Sequence, residues 1–371
     1  MRRHAFTTLL PGILCSIPEL RELRIRPLGH PGFWDQFAPP HNRCFVAQNV
    51  RILHISESFP ILMGGALPVV STIQELASLN IGFPESDWDD HANYDLQPDD
   101  WDKGSIHPLS KLRHLQITSR ITAIATLVDA IVAPELEDIQ LESTLRESSV
   151  VAAAAIRAVL GTLCSRNKSS IRKVHLDLRG LEYNPRRDST QSSEFGASIF
   201  TLLKPTLQFQ HLRELSILVS FGFRKPLEFP GPTMLTAWPN LRKLLLHGVV
   251  ISPDSLRAAA RACPHLQSLT AQGLSEDFRH IPASTLDQHD GSLRDASSSN
   301  AGGHGLQELR LLRPSDMVPA DVIKIAQFLA GLFPRLCAER SSGRGIYSSR
   351  SWNNVLKELT KIQVSQGSRR A

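Results

Sequence analysis

Asp87, Asp89, Asn93 and Asp95 are oxygen-bearing side chains at close spacing, the nearest approach in this chain to a metal-binding constellation. Such ligands suit a hard cation like calcium, whose binding loops also need a glycine for the sharp turn and a closing bidentate glutamate. Both are missing, and Glu85, Asp90, Asp99, Asp100 and Asp102 crowd the same stretch, so 84–102 reads as a solvated acidic insert. Trp88 and Trp101 either pin that insert to the body of the protein or act as anchors for a partner, a role in which Trp is enriched. Nucleophilic, metallopeptidase and phosphate-binding chemistry have local signatures, and GxSxG, HExxH and GxxxxGK[ST] are all absent. Gly343-Arg344-Gly345 is a fragment of a dinucleotide loop set in a polar stretch. No catalytic residue, metal ligand or cofactor is assigned, and the expectation is a protein that is not an enzyme. A hydrolytic enzyme assembling a long-range site from its 14 histidines and many serines is the competing reading.

The totals narrow the class further. With 371 residues, 42% of them hydrophobic, the chain can bury a large core. A formal net charge of +5 is mild for this length, and the Lys and Arg residues are scattered, which argues against a nucleic-acid partner. The longest apolar stretches, Ile121 to Ala133 and Val150 to Cys164, are broken by Asp129 and Arg157. Both fall short of the ~18 residues a membrane helix needs, so no membrane partner is expected. Arg2 and Arg3 precede an apolar run from Ala5 to Leu14, but Thr7, Thr8 and Pro11 interrupt it and no small-x-small site follows. A secretory leader is therefore not expected. Cys15, Cys44, Cys164, Cys263 and Cys337 form no CxxC pair. They read as buried free thiols of a reducing compartment, cytoplasmic or nuclear.

The elements that could hold a functional surface come from a repeated cadence, LxxLxL. It starts at Leu20, Val50, Leu76, Leu112, Leu136, Ile171, Leu212, Leu241, Leu266 and Leu306. Around Trp238 to Leu269 the pattern is one strand, one helix and the next strand within ~25 residues, the size of a leucine-rich repeat. Pro-x-Leu opens the unit at Pro18, Pro134, Pro239, Pro264 and Pro334, marking the turn from a helix into the next strand. Between cadences, helical periodicity covers Ser119 to Val132, Ser148 to Leu163, Glu194 to Leu203, Pro253 to Cys263 and Pro319 to Phe333. The polar, basic stretch 183–193 and the Ser/Asp/Gly-rich stretch 285–305 interrupt the array, the latter expected to be a disordered loop. The expected fold is α/β: an irregular leucine-rich-repeat solenoid over 1–340, with a curved parallel sheet on the concave side and helices on the convex side. A loop and a capping helix built on Trp352, Val355, Leu356, Leu359 and Ile362 follow in 341–371.

Side chains alternate across a strand, so the cadence residues point into the core and the residues between them point outward. Stacking the strands then builds an outward column from Arg24, His54, Asn80, Gln116, Gln140, His175, Ser216, Leu245, Thr270 and Arg310. Read functionally, this column is a protein-binding site on the concave face; read blandly, it is a solvated sheet.

With its cadences, Pro-x-Leu openings and irregular spacing, the chain from about Leu20 to Leu336 resembles the leucine-rich-repeat region of fungal F-box-type proteins. The resemblance implies a substrate receptor of a ubiquitin ligase, with a Skp-type adaptor as partner only if an F-box is present. Two departures stand out. The only F-box candidate, Phe6 to Ile17, is short for that three-helix segment. The ninth repeat position, usually Asn or Cys, reads Leu28, Pro84, Arg120, Thr144, Ser220, Val249, Leu274 and Pro314. A stand-alone scaffold or regulatory binder without a ligase link is the alternative.

Overall fold

The structure is a computed structural model, and it describes residues 17, 19–26, 34, 49–56, 62–83, 106–144, 149–179, 200, 203–220, 227–281, 304–313, 317–342 and 349–368. The acidic insert with Trp88 and Trp101, the stretch 183–193, nearly all of 285–305, Pro18, Cys15, Cys44, Gly343 to Gly345 and the F-box candidate up to residue 16 lie outside the described residues. So does the 194–203 helix apart from Phe200 and Leu203. The chain divides into two compact units, 1–172 and 173–371.

In unit 1 the elements are β1 (Glu22–Ile25), β2 (Ile52–Ser56), α1 (Leu67–Val70), β3 (Ser78–Gly82), β4 (His107–Pro108) and β5 (His114–Thr118). Then come α2 (Ile121–Ala130), β6 (Ile131–Val132), β7 (Asp138–Thr144) and α3 (Ser149–Asn167). Strands β1, β2, β3, β5 and β7 pair in that order, all parallel. The cadence sets their register: Leu23, Leu53, Leu79, Leu115 and Ile139 are successive partners, as are Ile25, Ile55, Ile81, Ile117 and Leu141. Both rows face the core, and only Leu23 on the edge strand is half-buried. A shift of one residue would turn every one of these side chains to solvent, so the apolar pattern pins the register.

Helix α2 buries Ile121, Ile124, Leu127, Val128 and Ala130. It stops two residues earlier than the periodicity predicts, because Ile131 and Val132 turn extended and pair with His107 and Pro108. Helix α3 runs past Gly161 to Asn167 and packs along α2 through Ile156, Val159, Leu160 and Leu163. Arg166 caps the end of α2, its Nη1 donating to Asp129 O at 2.8 Å and its Nη2 to Asp129 Oδ1 at 3.3 Å. A cation at a helix C-terminus is favourable, since the last carbonyls there lack intrahelical donors.

Unit 2 contains β8 (Lys173–Arg179), β9 (Glu214–Ser220), β10 (Leu227–Glu228), α4 (Gly231–Leu235), β11 (Lys243–Ile251) and α5 (Pro253–Ala262). It continues with β12 (Ser268–Leu274), β13 (Glu308–Leu311), α6 (Pro319–Leu332), α7 (Ala338–Ser341) and α8 (Arg350–Ser368). Strands β8, β9, β11, β12 and β13 pair in order and in parallel, with β10 added beside β11. The rows Val174–Leu215–Leu244–Leu269–Leu309 and Leu176–Ile217–Leu246–Ala271–Leu311 are again in register and buried. Gly248 carries the register shift between β11 and β12 at φ 83°, a conformation only glycine adopts without strain.

One turn recurs where a Pro-x-Leu opens a repeat. The first cadence residue donates its N–H to the carbonyl three residues back: Leu136 to Ala133, Leu241 to Trp238, Leu266 to Cys263, Leu336 to Phe333. Proline sits at the second position of each of these turns, where its fixed φ is already correct. The carbonyl of the residue after the first cadence residue then accepts two N–H groups from the next repeat, as Arg213 O does from Arg242 at 2.7 Å and Lys243 at 3.0 Å. At the turn itself, side chains of the following repeat cap the exposed carbonyl. Asn167 Nδ2 donates to Ala133 O at 2.6 Å, Cys263 Sγ to Trp238 O at 3.4 Å, and His304 Nε2 to Cys263 O at 2.8 Å. The thiols of Cys164 and Cys263 are buried and in no disulfide, and burial pushes both up to about 12, so they are unreactive.

The last Pro-x-Leu, Pro334-Arg335-Leu336, enters helix α7, where the earlier ones enter strands. Glu339 and Ser341 stand where apolar cadence residues would be needed. Ser341 Oγ accepts the Leu309 N–H at 3.0 Å, and Arg310 Nε donates to Arg340 O at 3.2 Å, so α7 covers the free edge of β13. Helix α8 packs on α6 and buries Trp352, Val355, Leu356 and Leu359. Ladder, helices and turns together make each unit an α/β leucine-rich-repeat array.

His304 makes stability depend on pH. Its Nδ1 accepts the Leu306 N–H at 3.0 Å while Nε2 donates to Cys263 O, which fixes the neutral tautomer. Burial, partly offset by its backbone bonds, lowers its pKa from 6.5. The unfolded chain therefore takes up this proton first. The stabilisation is complete above 6.5 and is lost as pH falls below that value toward the folded-state pKa. Urea midpoints should drop between neutral and mildly acidic pH, and His304→Gln should flatten that drop; equal slopes in both proteins would contradict this role.

Candidate functional site

The outward side of each sheet is where side chains are both ordered and available. In unit 1 the ladder aligns Arg24, His54, Asn80, Gln116 and Gln140 on five successive strands. In unit 2 it aligns His175, Ser216, Leu245, Thr270 and Arg310. All ten predicted column residues thus fall into line within their own unit. Arg24 and Arg310 are exposed and the other eight are half-buried. Asn80 Nδ2 donates to Gln116 Oε1 at 2.9 Å, and Arg24 pairs with Glu22 at 2.8 Å, so part of the column is pre-ordered. Leu245 is the one large apolar member, flanked on its strand by Lys243 and His247.

One step along the strands of unit 2 the surface turns more polar. Asp177, Leu218 and His247 are register partners on β8, β9 and β11. Asp177 is 3% exposed, with Oδ2 held by Arg179 Nε at 2.9 Å, while Asp177 Oδ1, Ser216 Oγ and His247 Nδ1 have no hydrogen-bond partner among the described residues. Burial is the main cause that lowers the His247 pKa, Arg313 adds to it and Asp177 opposes it, so the imidazole is neutral at pH 7. A serine, a histidine and an aspartate on adjacent strands have the composition of a hydrolytic triad. No hydrogen bond joins them, however, and a nucleophile needs its base within reach. Among the described residues no group of His, Cys, Asp and Glu could hold a metal ion, and no helix is long and apolar enough to cross a membrane.

Sequence reasoning missed a basic column. The residue after the first cadence position is Arg21, Arg51, Arg113 and Arg172 in unit 1 and Arg213 and Arg242 in unit 2, every one of them exposed, with Ala77, Glu137, Gln267 and Gln307 in the other four repeats. Arg113 meets Glu135 at 3.4 Å and Arg172 meets Glu137 at 3.8 Å, whereas Arg213 and Arg242 form no ion pair among the described residues. The signal is legible as a recurring Leu-Arg, but it emerges only when repeats are aligned; charge counted along the chain looks scattered. On the far side of unit 2, a groove of about 580 Å³ between α6 and α8 is lined by Met317, Val322, Ile323, Asn354 and Lys357.

No family model and no curated protein matches the chain. Among solved structures, similarity is found to a crystal structure of the Rad7 and Elc1 complex in yeast. Identity there is 15% over 84% of this chain and 86% of that one, with a TM-score of 0.31. An internalin (inlF) from Listeria monocytogenes is 12% identical over 62% of this chain and 76% of its own, with a TM-score of 0.23. Neither superposition is close enough to carry the fold, which rests on the ladder register described above.

Proposed function

We propose that the chain is a non-catalytic protein-interaction module, and that the outward sheet column is where a protein partner docks. The observation that carries this reading is the alignment of polar, half-exposed side chains on successive parallel strands whose alternate residues are locked in the core. A row of this kind is held rigid by the backbone and costs little ordering entropy on binding. Leu245, apolar and set among Lys243, His247, Thr270 and Arg310, serves as the anchor in unit 2, with its polar neighbours supplying hydrogen bonds.

The finer reading is a substrate-recognition part of an F-box-type ubiquitin-ligase receptor working in the cytoplasm or nucleus. It is supported by the cadence and Pro-x-Leu resemblance. Affinity purification of the tagged protein should recover Skp and cullin if the ligase link holds. Their absence, with a specific partner still retained, would leave a stand-alone binder. Leu245→Glu should abolish retention of that partner while the melting temperature stays unchanged, because the side chain leaves the core packing untouched. Full retention by Leu245→Glu would remove the column from the interface.

A further inference from the structure

We infer that the strand-entry edge of unit 2 is an anionic-ligand surface, and that its occupant is an acidic segment of a protein partner. The inference rests on the protein-interaction reading above and adds the partner's chemistry. Lys173, Glu214 and Lys243 are register partners on β8, β9 and β11. The Glu214 carboxylate stands 3.6 Å from Lys173 Nζ and 3.7 Å from Lys243 Nζ, one acceptor shared by two ammonium groups. Arg213 and Arg242 immediately precede β9 and β11, their backbones linked through the doubly accepting Arg213 carbonyl.

Two lysines share one carboxylate across three adjacent strands, and with Arg213 and Arg242 at the entries of β9 and β11 this edge carries a net of three positive charges. The nearest other acids on this face are taken: Asp177 by Arg179, and Glu308 by Ser268 and Arg310. Other ion pairs of this unit join one cation to one carboxylate, as in Arg257–Asp254 and Lys361–Glu358.

Geometry favours a peptide over a nucleic acid. Strands lie about 4.8 Å apart, close to the ~5.4 Å pitch at which an acidic helix presents successive side chains on one face. A phosphate backbone would carry its charges past the patch onto Glu308 and Asp177. Nor is any aromatic ring found among the exposed large apolar side chains of the described residues, so bases have no stacking platform.

The test uses the full chain and a fluorescein-labelled oligoglutamate peptide, read by anisotropy at low salt and at about 0.15 M. Arg213→Gln with Arg242→Gln should weaken binding about tenfold, the effect of two exposed ion pairs at the upper end of their range. Arg213→Lys with Arg242→Lys should retain most of it, and a charge-matched control, Lys324→Gln with Lys357→Gln, should change it less than about twofold. Equal weakening by the control pair would overturn the proposal in favour of diffuse net charge. Absence of binding to the unmodified chain, or tighter binding of a single-stranded oligonucleotide of equal charge, would overturn it as well. A partner capture that depends on Leu245 but ignores Arg213 and Arg242 would sink this inference alone and leave the interaction reading standing.

Discussion

Trp238→Ala should destabilise the protein by about 3–5 kcal/mol, the cost of emptying a fully packed aromatic site. Trp238 is 0% exposed and closes the turn that launches β11. Its Nε1 donates to Thr206 O at 2.9 Å, and its own carbonyl accepts from Leu241 N–H and from the Cys263 thiol. Truncation therefore opens a cavity and removes one of the two donors to the buried Thr206 carbonyl, which keeps the Phe209 N–H at 3.0 Å. Trp238→Phe separates the two terms, since it keeps most of the ring and removes the N–H. It should cost about 0.5–1.5 kcal/mol, the net worth of one hydrogen bond whose acceptor keeps its other donor. Urea melts of both variants check this. A Phe variant as stable as the parent would show that the Thr206 bond contributes nothing, and an Ala variant within about 0.5 kcal/mol would place Trp238 at the surface.

The second large effect distinguishes neighbours on one strand. Leu244 is 2% exposed in the central row of unit 2, between Leu215 and Leu269, and Leu244→Ala should cost about 2–5 kcal/mol. Leu245 points the other way, paired with Ser216 and Thr270, and Leu245→Ala should stay within about 0.5 kcal/mol. Chemical denaturation of the pair reads the register directly. A reversal, with Leu245→Ala the costly change, would move every outward residue into the core and dissolve the recognition column with it.

Much of this architecture was legible because a strand's period is short and the cadence repeats. Leu241, Leu244 and Leu246 alone are a chance pattern; their recurrence fixes strand positions, register and the outward column together. Helix ends were less legible. Ile131 is a good helix-face residue by periodicity, yet it turns extended because His107 supplies a strand partner from a stretch with no cadence. Gly161 looks like a helix stop, but nothing crowds it and α3 continues to Asn167, whose amide is needed at the Ala133 carbonyl. Pro334-Arg335-Leu336 shares its opening with the true repeats but lacks their two later apolar residues. The opening therefore signals a turn, and those later residues decide between strand and helix. Asp177, Ser216 and His247 were invisible as a group, since only strand pairing brings positions from three repeats together.

Site-specific photo-crosslinking tests the docking column most directly. A benzophenone side chain placed at position 245, and in a second protein at position 323 on the exposed side of α6, would be irradiated with the partner bound. The expected result is a protein adduct from position 245 that disappears with excess unlabelled protein, and none from position 323. Adducts from position 323 with none from position 245 would contradict the docking column and move recognition to the helix face.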